Sequence, residues 1–149
     1  MGLVITSQKE SLIEEGLKIK FNDAFLLICN EEQIKQCSIN VRIMDDKEMQ
    51  ELNKKFRGKD TSTNVLSFTN EDISKPITGN LGDIAISYEF VKNESEELNV
   101  DFDDHMIHML IHGIYHILGF DHENDETADI MENKEITLLK KLNINNPYK

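Results

Sequence analysis

Apolar and polar positions change their spacing several times along the chain, and each change marks an element. Residues 3 to 6 make a short apolar run that predicts a first strand. From Ser7 to about Asn30 the spacing of Leu12, Gly16 and Ile19 predicts a helix, with Gly16 its weak point. Ser38-Ile39-Asn40-Val41-Arg42-Ile43-Met44 alternates polar and apolar, the period of a half-buried strand. Asp45 and Asp46 offer an N-cap to a helix carrying Met49, Leu52 and Phe56, which Gly58 ends. Val65–Phe68 and Leu81–Ser87 predict two more strands, and the segment between them, with Pro76 and Gly79, reads as a loop. The second half is helical: Tyr88–Leu98, then Asp101–Leu118 with an almost continuously apolar rear. Residues 125 to 142 follow, with Ile130, Met131, Ile136, Leu138 and Leu139 on a helical repeat.

Strands early and helices late predict an α+β fold, a small mixed sheet packed with helices. Spacing alone leaves the order of the strands open. The 149 residues carry no repeat, low-complexity stretch or linker, so residues 1–149 read as one domain. A hydrophobic share of 39% with 30% charged residues describes a globular chain rather than a disordered one. No apolar run approaches the ~20 residues of a membrane-spanning helix, and Leu3-Val4-Ile5 is too short for a signal sequence. Cys29 and Cys37 are the only cysteines and form neither a disulfide framework nor a CxxC metal pair, so a cytoplasmic location is expected.

All five histidines fall between 105 and 122. His112 and His116 are one helical turn apart, so both imidazoles reach one ion. Gly119 can end that helix in a left-handed conformation and return the chain to His122, a third corner. Three imidazoles with an open position form the pattern of a catalytic zinc site, although nickel, cobalt and iron also take imidazole. A competing stripe of His108, His112 and His116 runs along a straight helix for about 12 Å, too long for one ion. His105 and His108 therefore read as hydrogen-bonded core residues. Asp121 and Glu123 flank His122 and read either as groups that orient an imidazole or as solvated loop acids. The spacing HxxxHxxGxxH is also that of metzincin peptidases, but their general-base glutamate is replaced here by Gly113, which argues against proteolysis.

Lys54-Lys55-Phe56-Arg57-Gly58-Lys59 puts four basic residues in six positions. Cations at a helix end offset its dipole, yet four exceed what a cap needs, and Arg57 can present a planar fork to phosphate. Thr61-Ser62-Thr63-Asn64 then supplies short donors ahead of the Val65 strand. Read together, Leu52-Asn53, Phe56 to Asp60, Thr63 to Phe68, Leu81-Gly82-Asp83-Ile84 and His112 to His122 resemble the YbeY family of bacterial rRNA-maturation endoribonucleases.

The resemblance implies a zincin-like fold and one metal, zinc by expectation, held by His112, His116 and His122. It also implies single-strand-specific cleavage in maturation of the 16S rRNA 3′ end and in quality control of 70S ribosomes. The family's functional arginine falls on Arg57. The chain departs from the family at Ser62, where proline is common, and the Asn64 position is aspartate or asparagine in relatives; neither change removes a ligand or the arginine. The expected partners are single-stranded rRNA and ribosomal particles, with no membrane and no DNA. Two other readings stay open: a ribosome-assembly binding protein with a structural metal, and a zinc hydrolase of another substrate.

Charge narrows the nucleic-acid reading. The chain holds 28 acidic and 16 basic residues, a net −12. Residues 92 to 135 hold 13 acids and two bases, a net −11, which leaves −1 for the other 105 residues. Such a surface repels duplex phosphates over much of its area, while the Lys54–Lys59 loop can still admit one strand.

Overall fold

The computed structural model describes residues 2–7, 13–35, 37–69 and 80–148. Four strands, β1 (Gly2–Ser7), β2 (Ser38–Met44), β3 (Val65–Thr69) and β4 (Asn80–Ser87), form one mixed sheet in the order β1-β2-β4-β3. β1 and β4 each pair parallel to β2, and β3 runs antiparallel to β4 at the edge, with Val65 opposite Ile86. Among the described residues five helices accompany it: α1 (Glu15–Glu31), α2 (Asp46–Arg57), α3 (Tyr88–Leu98), α4 (Phe102–Ile117) and α5 (Asp125–Lys141). None is long and apolar enough to cross a membrane. The expected α+β architecture is the one found.

The alternation in β2 does what its period requires. Ile39, Val41 and Ile43 are fully buried on one face with Ile84 and Ile86 of β4, under Phe21, Phe25 and Ile28 of α1 and Met106 and Leu110 of α4. Leu138 and Leu139 of α5 complete this core. On the other face α2 packs Met49 against Met44, Leu66 and Ala85. Asp45 caps α2 by accepting from the Glu48 amide at 2.8 Å, and Gly58 ends it at φ 71°.

Helix α1 differs from the sequence expectation. Ser7 stays in the parallel ladder opposite Ile43, so the helix starts at Glu15. Its buried face is Leu17, Phe21, Ala24, Phe25 and Ile28, while Ile19, expected to face inward, is 59% exposed. Leu12 and the expected loop with Pro76 and Gly79 lie outside the described residues. In α5, Ile130 faces out and a carboxylate, Glu135, occupies the buried stripe instead.

Candidate metal centre

Helix α4 supplies the first two histidines. Asp101 caps it by accepting from the Asp104 amide, and its core face is so apolar that eleven of its sixteen residues are buried. His112 and His116 sit on the remaining flank with Nε2 atoms 3.1 Å apart. Gly119, at φ 101°, takes the left-handed turn that few side chains tolerate, and the chain folds back to an exposed His122. The three rings cluster, with centroids 4.6 to 5.4 Å apart. One nitrogen from each lies within 4.8 Å of the others, so His112, His116 and His122 can hold a metal ion.

The donor set fits that role. Nitrogens bound at ~2.0–2.1 Å to one tetrahedral ion stand about 3.3 Å apart, close to the 3.1 Å observed for His112 and His116. Burial and the two neighbouring imidazoles hold His116 below the ordinary histidine range, which keeps its lone pair available.

His105 and His108 are both buried at 7% exposure and engaged elsewhere, as core histidines should be. Nε2 of His105 lies 3.0 Å from Glu94, and Nε2 of His108 lies 2.8 Å from Glu135. The His108-His112-His116 stripe is therefore not the cluster that forms. Among the flanking acids, Asp121 accepts from the Glu123 amide at 3.3 Å. The carboxylate that hydrogen-bonds a triad imidazole is Glu135, whose Oε2 is 3.1 Å from His112 Nδ1. Burial works to raise the pKa of Glu135, but hydrogen bonds from His108, His112 and Tyr148 outweigh it and hold the group at about 2. Sequence reading missed Glu135; its one signal is an acid on the apolar repeat of α5.

Gly113 faces the sheet. A Cβ there would meet Ser67 Oγ at 3.1 Å and Ile84 at 3.2 Å, so the small residue lets α4 lie close against β3 and β4. The place of the peptidase glutamate is thus a packing position in this chain. Ser67 fixes the approach by donating its hydroxyl to the Gly113 carbonyl at 3.1 Å.

Arg57 reaches the same cleft from the end of α2. Its guanidinium donates to the Ser67 carbonyl at 3.0 Å and lies 5.1 Å from the Phe68 ring centroid. Ser67 thereby ties Arg57 to the histidine helix through one residue. The cleft, about 700 Å³, is walled by residues 64–69 on one side and His112, His116 and His122 on the other, with Arg57 at its rim. Asn64 at its end donates to Glu94 at 3.1 Å and accepts from the Val65 amide at 2.7 Å. In the last turn of α2, Lys54 pairs with Asp60 at 3.9 Å, an exposed contact of small energetic value.

Comparisons with known proteins agree with this geometry. The family model described as Endoribonuclease YbeY matches residues 4–143. A protein named Endoribonuclease YbeY from Francisella philomiragia subsp. philomiragia is 44% identical over 128 residues, 83% of this chain and 81% of the relative. A relative of the same name from Francisella tularensis subsp. tularensis, strain SCHU S4, is 42% identical over 129 residues, 82% of this chain and 75% of that protein. The solution structure of TM1509 from Thermotoga maritima superposes with a TM-score of 0.64 at 25% identity, covering 95% of this chain and 91% of that one. The histidine cluster, the strand beside it and these likenesses agree, and the chain belongs to the YbeY endoribonuclease family.

Proposed function

We propose that this chain, as a member of an endoribonuclease family, cuts single-stranded ribosomal RNA at a single zinc ion held by His112, His116 and His122. The observation that carries the reading is the convergence of three imidazoles and one guanidinium on one cleft. A divalent ion held by these histidines would supply Lewis acidity for phosphodiester hydrolysis. The protein's own part is to bind and orient. Arg57, anchored by the Ser67 carbonyl and the Phe68 ring, offers its remaining N–H donors to the scissile phosphate and stabilises the charge that develops there. Edge strand β3 lies along the cleft and guides one strand of RNA past the histidines. The acidic segment 92–135 repels a second strand, which favours single-stranded over duplex substrate.

Membership of the family supports a proposed role in maturation of the 16S rRNA 3′ end and in quality control of 70S ribosomes, in the cytoplasm, with residues 1–149 read as one domain. Mapping 16S rRNA 3′ ends in cells carrying wild-type or His116→Ala protein tests this role. The expected result is accumulation of extended 3′ ends with His116→Ala. Ends that match the wild type, at equal protein levels, would refute it.

A further inference from the structure

Glu135 is fully buried, yet its ion-pair partners among the described residues are both histidines. A buried carboxylate without a permanent cation costs stability, and an apolar residue of similar volume would serve the core of α5 as well or better. Its surroundings are specific. Oε2 lies 3.1 Å from His112 Nδ1, and Oε1 lies 2.8 Å from His108 Nε2 and 2.7 Å from Tyr148 Oη. Metal-ligating histidines commonly donate their other ring N–H to a carboxylate, and here Oε2 is placed to accept from His112 Nδ1 and Oε1 from His108 Nε2 and Tyr148 Oη. His112 then carries its proton on Nδ1, which leaves the Nε2 lone pair free, and that nitrogen is the one 3.1 Å from His116 Nε2. His108 carries its proton on Nε2, and its buried, unpartnered Nδ1 is then a bare lone pair, a lesser loss than an orphaned N–H.

We propose that Glu135 is a positioning residue of the metal centre: it locks His112 in the Nδ1–H tautomer with Nε2 turned to the ion, while His108 and Tyr148 lock Glu135 in turn. The inference rests on the reading of the triad as a metal site. It gives the buried negative charge a cation, one imidazole away, that the apoprotein lacks. It also gives a role to Tyr148 near the chain's end, whose ring packs edge-on to His108 with centroids 5.5 Å apart while its hydroxyl reaches Glu135.

The test uses the full chain and zinc alone, titrated against a chromophoric chelator, beside thermal melting of the metal-free protein and imidazole 15N spectra. Glu135→Gln keeps the size and hydrogen-bonding capacity of the side chain and should still melt cooperatively, while its zinc Kd rises about 10- to 100-fold. Tyr148→Phe should raise the Kd less than Glu135→Gln does. In the wild type, His112 should show a proton on Nδ1 both with and without zinc, and Glu135→Gln should lose that fixed tautomer. Zinc binding by Glu135→Gln as tight as wild type, with the His112 tautomer intact, overturns the positioning role alone. If that variant does not fold, the metal-free wild-type spectrum decides: a proton fixed on Nδ1 of His112 before zinc is added supports the proposal, and its absence overturns it. A wild-type chain that takes up no zinc overturns the metal reading and this inference together.

Discussion

Five histidines share 18 positions of sequence, and burial divides them into two that serve the core and three that face a cleft. Local geometry made this division legible. The spacing of His112 and His116 is a property of any α-helix, and Gly119 permits the return to His122 by its backbone alone. Glu135 was not legible because it reaches His112 from another helix, 23 positions away, and on its own helix it reads as an interruption of an apolar stripe. Two residue substitutions separate binding from chemistry. His116→Ala should abolish stoichiometric zinc uptake. Arg57→Ala should leave uptake intact and slow cleavage by about 10² to 10³, as for a lost preorganised donor. Metal analysis and single-turnover cleavage on the same preparations distinguish them. The cysteines give an independent check on the packing. Cys29 and Cys37 are buried with sulfurs 3.8 Å apart, and burial, reinforced by Cys37, pushes the Cys29 thiol up to about 12. At pH 8 Cys29 is therefore a neutral thiol, and alkylating reagents should label it only at the rate of unfolding; rapid labelling of the native protein would contradict this packing.

Helix and strand boundaries followed the sequence closely where a cap or an alternation marked them, as in β2, α2 and α3. They departed from it at α1, whose expected start was absorbed into a strand by pairing with β2, a contact no local window contains. The same holds for Gly113, whose meaning lies in how closely α4 approaches β3 and β4. Gly113→Glu, which restores the residue of the peptidase pattern, should therefore yield no protease. It should instead destabilise the fold by at least about 3 kcal/mol, through overpacking and an unpaired buried charge. Urea unfolding measures the loss, and a stable variant that hydrolyses peptides would show that position 113 faces the cleft. Ser67→Ala removes the hydroxyl that ties β3 to the Gly113 carbonyl but keeps the carbonyl that anchors Arg57. Its expected cost is about 1 kcal/mol of stability, with the zinc affinity unchanged.

Across the whole molecule, the order of the sheet was beyond the sequence because strand pairing is non-local, whereas the uneven charge could be counted directly. Concentration of −11 of the net −12 in residues 92–135 makes the chain a poor general binder of nucleic acid. If two or three phosphates are neutralised, the affinity for single-stranded RNA should fall with salt at a logarithmic slope of about −1.4 to −2.1, and Arg57→Ala should reduce that slope by about 0.7. Duplex RNA of the same sequence should bind more weakly at every salt concentration. The central proposal is that the His112-His116-His122 cluster makes the cleft a metal-dependent nuclease. The most direct measurement is cleavage of a single-stranded RNA spanning a 16S rRNA 3′ end by purified protein, stripped of metal and then reloaded with one equivalent of zinc. Wild-type protein should lose cleavage on stripping and regain it on reloading, while His116→Ala stays inactive in both states. Equal cleavage by stripped wild type, or by His116→Ala, would contradict the account.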